Sequence, residues 1–445
     1  MKKIAVAGAG LVGSLVSLYL VRRGYSVSLY ERRPDFRKAG AYGGRSINLA
    51  LSNRGLRALS EVGLAEAMRT HALPMHGRMV HTLDGKVSFQ RYGTEGQYIN
   101  SISRSELNRV VLDAAEAAGV KTHFSCRISA VDFKDTTMNI NGEDGKEQTV
   151  TADVIIGADG AFSAVRAAMQ VTDRFDYSQT WIEHGYKELN IPAGPDGGFQ
   201  LDPGALHIWP RERYMLIALP NPDKSFTCTL FFPFEGTPSF SELNDDGKVT
   251  AFFRSVFPDA MELIPDLTDQ FRTNPAASLV TVRCHPWVKG RTMLIGDAAH
   301  AIVPFYGQGM NAGFEDCREL NALLDRFADD WDQVLPEFQR SRKPNADAVS
   351  WLALDNFIEM RDLVADPRFI LRKKIEARLH ERFPDEWIPL YSMVTFHDEI
   401  GYDQAYRTGQ WQKSVMDKVL DEPGIADQWE TLDLDRIMEE FRKKA

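Results

Sequence analysis

Cysteine is scarce. The four residues Cys126, Cys228, Cys284 and Cys317 are scattered without a CxxC pair, which excludes a disulfide framework and a cysteine-based zinc site. The histidines His71, His76, His81, His184 and His207 show no spacing matched to a coordination geometry, so no metal is expected. No apolar run reaches the ~18–20 residues that a bilayer crossing needs, so no membrane span is expected. Positive charge is in deficit: 52 Lys and Arg stand against 62 Asp and Glu, a net charge of −10, which gives no reason to expect nucleic acid. Internal repeats and low-complexity tracts are absent. These absences leave a globular, reduced, cytoplasmic protein.

Its 445 residues are enough for roughly two or three domains. The opening MKKIAVAGAGLVGSLVSLYLVRRG begins like a signal peptide, but Gly8, Gly10, Gly13 and Arg22-Arg23-Gly24 indicate strand, turn and amphipathic helix. GxGxxG here has the context its mechanism requires. Gly8 permits the tight turn, Gly10 lets a pyrophosphate reach the helix N-terminus, and Gly13 lets helix and strand pack closely. A second strand, Val27–Tyr30, ends in Glu31, where a carboxylate binds ribose hydroxyls and disfavours the 2′-phosphate of NADP in that pocket. Dinucleotide binding follows.

After an arginine- and glycine-rich stretch through Gly43–Leu49, Asp84-Gly85 marks a hairpin carrying Arg78 and Tyr92. Ser103 with Glu106 reads as a capping box. A meander over 128–150 leads to Asp153–Arg166, which repeats the opening form: apolar strand, Gly-Ala-Asp-Gly turn, helix. From Val171 to Pro275 the chain is strand-rich and aromatic, with β-type runs at Leu206–Trp209, Tyr214–Leu219 and Phe226–Phe232. Arg291–Asp316 is a third strand, turn and Gly-rich helix entrance. Beyond Arg326 the spacing predicts helices at Trp331–Ser341, Ala346–Val364, Phe369–Phe383 and Trp411–Leu420, with a break at Pro344.

GAGLVG with Glu31, GADGAFSAVR at 157–166 and GDAAHAIVPFYGQGMNAGFED at 296–316 together resemble the FAD-dependent aromatic hydroxylases, the class A flavoprotein monooxygenases. The resemblance implies an α/β fold: a discontinuous Rossmann-like FAD domain (1–75, 99–175, 278–330), an inserted β-sheet substrate domain (76–98, 176–277) and a C-terminal helical region (331–445). It implies that Asp297 binds the ribityl chain, that the Met310 and Asn311 amides face the flavin pyrimidine edge, and that Arg104 and the Asp159 turn serve the cofactor. Val12, Arg32, Ala50 and Gly309 complete that set. The implied chemistry uses bound FAD, with NADPH and O2 as co-substrates.

The stretches GRMVHTLDG, QYINSISRSELN, PFYGQGMNAGFEDC, LDNFIEMRD and LYSMVTFHDEIGY extend the resemblance to one branch of the family, whose substrate is an aromatic amino acid. By it, Arg78, Tyr92, Asn356 and Tyr391 form the amino-acid clamp. Pro304, Phe305 and Gln308 form the loop between ring and flavin, and Tyr306 is a wall residue. No side chain is expected to act as acid or base, and His300 reads as structural. Mitochondrial relatives carry a C-terminal membrane anchor, whereas this chain ends in a polar segment; a monomer or homodimer is expected. On these residues a hydroxylase of another anthranilate- or salicylate-like aromatic, or a FAD-binding redox sensor, stays open.

Overall fold

The computed structural model describes residues 1–38, 48–360 and 366–443. Gly43–Ile47, the end of the helix expected to reach Val364, and Lys444-Ala445 lie outside the described residues. A six-stranded sheet runs in the order Val288–Lys289, Thr292–Leu294, Val154–Gly157, Lys3–Ala7, Ser26–Tyr30, Lys121–His123, parallel except at the Val288–Lys289 edge. The runs IAVA and VIIG are buried, as strands covered on both faces must be. Ala7 pairs with Gly157, and Gly157 with Leu294, so the turns at Gly8, Ala158 and Gly296 emerge side by side at the carboxyl ends of adjacent strands. This is where open α/β sheets place ligands.

The helix Leu11–Arg22 follows the first turn. It is buried on nearly every side, packed against the helices Arg104–Ala117 and Gly309–Arg326, and is therefore not the amphipathic helix expected. The capping box also fails to form. Ser103 Oγ lies 3.0 Å from Ser105 Oγ, and the Glu106 carboxylate accepts from Arg109 Nε at 2.9 Å instead of returning to the backbone.

A seven-stranded sheet stands over the first, in the order Ala276–His285, Asp176–Ile191, Phe226–Pro233, Tyr214–Pro220, Ala205–Arg211, Gly77–His81, Val87–Arg91. The hairpin turns at Gly85 (φ 78°), and its first strand joins the inserted segment by parallel pairing, Arg78 opposite Leu206. Ala276–His285 pairs along Asp176–Lys187, so residue 278 falls inside a strand of this sheet. Three unanticipated helices, Asp246–Val256, Pro258–Glu262 and Leu267–Thr273, cover its outer face, with Phe252, Phe253 and Phe257 packed among Leu216, Leu230 and Phe232. Their phenylalanines gave the segment a strand-like composition, although they serve as the apolar faces of short helices.

The C-terminal region is helical. Pro344 does not break it: one helix runs Trp331–Ile358 through Pro336 and Pro344. An interior proline costs ~3 kcal/mol. Here buried Phe338 and Arg342 hold the turn before Pro344, and Ala346 and Val349 the turn after it. Further helices run Pro367–Arg382, Leu390–Thr395, Tyr402–Leu420 and Leu434–Arg442. One core joins Leu352, Phe357, Met393 and Tyr402 to Val303, Phe305 and Tyr306, so this region packs against the turn of the third motif. Among the described residues no helix is long and apolar enough to cross a membrane.

Candidate functional site

A cavity of about 520 Å³ opens between the two large sheets, with Gly10, Arg104 and Asp297 at one end and Arg78, Tyr92 and Tyr391 at the other. Two helix N-termini point toward it, starting at Leu11 and Gly309. Neither has a side-chain cap or an acid in its first turn, so their first amides lack intrahelical acceptors and favour an anionic or electron-rich partner.

The glycines divide by geometry. A Cβ on Gly13 would lie 1.8 Å from the Gly8 carbonyl oxygen, and Gly8 itself sits at φ 97° with a Cβ position 2.6 Å from Ala158 O. A Cβ on Gly10 would meet nothing within 4 Å, which leaves open the space a pyrophosphate needs. Glu31 stands beside this turn, Oε2 accepting from Ala9 N and Oε1 from Arg33 N, both at 3.0 Å. Uncapped amides, an open glycine and a carboxylate on one rim fit a dinucleotide such as FAD.

Behind the third turn lies a buried charge network. Asp316 Oδ2 accepts from Gly296 N at 3.1 Å and meets His300 Nε2 at 2.6 Å, while its Oδ1 accepts from Arg342 Nε at 2.7 Å. Burial works against charge on Asp316, yet His300 and Arg342 hold its carboxyl below the usual range; in return Asp316 raises the His300 imidazole against the effect of burial. Asp316 thereby fixes the Gly296-Asp297 turn, and Asp297 lines the cavity. His300 is sealed into this network and does not line the cavity, as a structural residue should be.

At the other end the walls are largely apolar, with Leu206, Met215, Leu219 and Phe231 around one cation. The Arg78 guanidinium carbon lies 5.6 Å from the Tyr92 ring centre and 5.3 Å from that of Tyr391. Its Nε is buried without a hydrogen-bond partner, and no carboxylate among the described residues pairs with it; Glu359 acts on it only through space. Tyr391 stacks between Tyr92 at 5.2 Å and Tyr306 at 5.7 Å. Burial holds all three phenols above their ordinary pKa, so they stay protonated and able to donate.

Of the residues singled out from sequence, Gly10, Val12, Ala50, Arg78, Tyr92, Arg104, Asp297, Pro304, Phe305, Gly309, Met310 and Tyr391 line this one cavity. Others stand behind it. Asn311 is buried, its Nδ2 donating to Ala50 O and Gly307 O at 2.8 Å and its Oδ1 accepting from Ser52 N at 3.0 Å. Asp159 accepts from Ala164 N at 2.6 Å and so faces a helix start, while Ala158 and Gly160 beside it line the cavity. Arg32 is exposed.

Asn356 does not face the cavity: its Nδ2 donates to Phe305 O at 2.6 Å. Gln308 likewise turns away and accepts from the Tyr402 hydroxyl at 2.9 Å. Met360 and Tyr186 line the cavity without having been anticipated. Met360 lies in the LDNFIEMRD stretch, four residues after Asn356, and Tyr186 in a strand of the inserted sheet that no motif marks.

Residues 1–351 match the family model described as FAD binding domain. The kynurenine 3-monooxygenase of Flavobacterium johnsoniae is 50% identical over 444 residues, covering 99% of both chains. That of Sus scrofa is 46% identical over 421 residues, covering 94% of this chain and 88% of the relative. The solved tetrameric form of 2-methyl-3-hydroxypyridine-5-carboxylic acid oxygenase aligns with a TM-score of 0.68 at 19% identity, over 82% of this chain and 94% of that one, which shows a shared fold.

Proposed function

Because the chain belongs to the kynurenine 3-monooxygenase family of FAD-binding proteins, we infer that it converts L-kynurenine to 3-hydroxykynurenine, with bound FAD and with NADPH and O2 as co-substrates. When bound, FAD supplies the redox chemistry that no side chain of this site can. One oxygen atom enters the ring at C3 and the other leaves as water.

The chain's own part is binding, orientation and exclusion of water. Gly10 and the amides after it receive the pyrophosphate, Glu31 the ribose, and Asp297 the ribityl chain. The amides at Gly309–Asn311, at the positive end of a helix of 18 residues, favour negative charge on the ring system. Pro304 and Phe305 wall the space for the substrate ring. The ring amine already activates C3, so no general base is demanded, and His300 has none of the access a base would need.

The observation that carries this reading is Arg78, a guanidinium with no carboxylate partner among the described residues, at the largely apolar end of the cavity. A substrate carboxylate is the missing partner, and the phenols of Tyr92 and Tyr391 add short hydrogen bonds. The test is a spectral titration of the FAD-bound protein with L-kynurenine and with its decarboxylated amine. L-Kynurenine is expected to perturb the flavin spectrum at concentrations at least ~10-fold lower, since a charge-assisted pair is at stake. Equal affinity would remove the clamp from the account.

A further inference from the structure

The turn Pro304–Gln308 is gripped at both ends by the C-terminal helices. Asn356 holds its start at Phe305 O. Its end is held from Tyr402, the first residue of the helix Tyr402–Leu420, whose hydroxyl donates to Gln308 Oε1 at 2.9 Å. We propose that Tyr402 is a positioning residue for the hydroxylation: through Gln308 it sets the turn that walls the cavity, and so keeps oxygen transfer to the substrate ahead of peroxide release. This rests on the kynurenine hydroxylase reading above.

Three features fit Tyr402 to this role. The pair is sealed, with Tyr402 0% and Gln308 2% exposed, so water cannot replace the bond. Burial raises the phenol above its ordinary pKa, which keeps it a donor. Its ring is also fixed independently. The Arg54 guanidinium carbon stacks 4.1 Å over it, while Arg54 pairs with Glu315 at 2.5 Å and donates through Nε to Val394 O at 2.9 Å.

Glu315 belongs to the helix that starts at Gly309, directly after Gln308, and the Gln308 carbonyl accepts that helix's Ala312 N–H at 2.8 Å. Gln308, Tyr402, Arg54 and Glu315 therefore close a circuit around the helix start whose amides face the cofactor. Of this circuit only Arg54 lies outside the motif stretches; Glu315 and Tyr402 lie within them without a role read from sequence, and Gln308 acts through its hidden side.

The chemistry makes the position measurable. In the coupled reaction NADPH, H⁺, O2 and kynurenine give NADP⁺, water and 3-hydroxykynurenine. When the wall fails to exclude water, NADPH, H⁺ and O2 give NADP⁺ and H2O2, with kynurenine unchanged. Tyr402→Phe keeps the ring on Arg54 and removes only the donor; Gln308→Met removes the acceptor.

Each variant, as FAD-loaded full-length protein, should retain FAD, lose no more than a few degrees of thermal midpoint to the buried group left unpaired, and hold its kynurenine KM within about twofold. The ratio of hydroxylated product to peroxide should fall about fivefold, the factor one neutral hydrogen bond carries. The double variant should be no worse than either single one, because both remove the same bond. Additive losses, an unchanged product-to-peroxide ratio, or loss of FAD from both single variants would overturn the proposal. A wild-type protein that makes no 3-hydroxykynurenine would instead overturn the function itself.

Discussion

Arg78→Met separates binding from folding in a single substitution. In the protein the guanidinium sits among largely apolar walls and two tyrosine faces at 5.3 and 5.6 Å, and among the described residues no carboxylate pairs with it. Burying a cation without a partner costs stability, and cation–π contacts of ~0.5–2 kcal/mol return only part of that cost. Methionine fills similar space without charge, so the thermal midpoint of the variant should equal or exceed that of the wild type. Substrate binding should suffer. A charge-assisted pair contributes ~1.5–3 kcal/mol, and at ~1.4 kcal/mol per factor of ten the kynurenine KM should rise about 10- to 150-fold. Steady-state kinetics at saturating NADPH, beside a thermal melt and an FAD absorbance ratio, measure both effects. A KM within twofold of wild type would refute the reasoning. So would a KM rise fully accounted for by lost FAD or a lowered midpoint, since Arg78 would then be structural.

The glycine turn yields a contrast between two alanines. Gly13→Ala drives a Cβ to 1.8 Å from Gly8 O and should destabilise the chain itself, whereas Gly10→Ala meets nothing within 4 Å and should fold yet hold FAD at least ~10-fold more weakly. Denaturant midpoints and FAD titration distinguish the two. Asp316→Asn leaves His300 buried beside a neutral amide, while Arg342 keeps Glu315 at 2.8 Å, and should cost ~3 kcal/mol in denaturant unfolding, the lower end for breaking a buried pair. The same network gives a pH dependence. Against burial, Asp316 raises the His300 pKa, so its imidazolium stabilises fully below its ordinary value near 6.5 and that stability is lost as pH rises through the folded value. His300→Gln should flatten this alkaline loss in unfolding midpoints, and a wild type equally stable across that range would contradict it.

What the sequence revealed and what it hid divide by distance along the chain. The turns at Gly8, Ala158 and Gly296 are written in short local motifs, because each needs glycine or a carboxylate at a fixed offset from a strand end. Their convergence follows from parallel pairing of the three strands that precede them. Arg78 and Tyr391 could be assigned together only by resemblance, since no local pattern links a hairpin strand to a C-terminal helix. Side-chain direction was less legible. Gln308 and Asn356 stand in the right segments, yet remote partners turn the first toward Tyr402 and the second toward Phe305 O. Pro344 reads locally as a helix end, but Arg342 on Asp316 holds the helix through it. Ser103 and Glu106 have the spacing of a capping box, but Arg109, one turn on, takes the carboxylate.

The central claim is that Arg78 receives the carboxylate of a kynurenine held against bound FAD. The most direct test follows NADPH consumption by the FAD-loaded protein, with and without L-kynurenine, while 3-hydroxykynurenine and peroxide are quantified together. The account predicts that L-kynurenine accelerates NADPH oxidation and that 3-hydroxykynurenine appears in nearly one-to-one proportion to the NADPH consumed. NADPH oxidation that ignores L-kynurenine, or that yields peroxide alone, would contradict it.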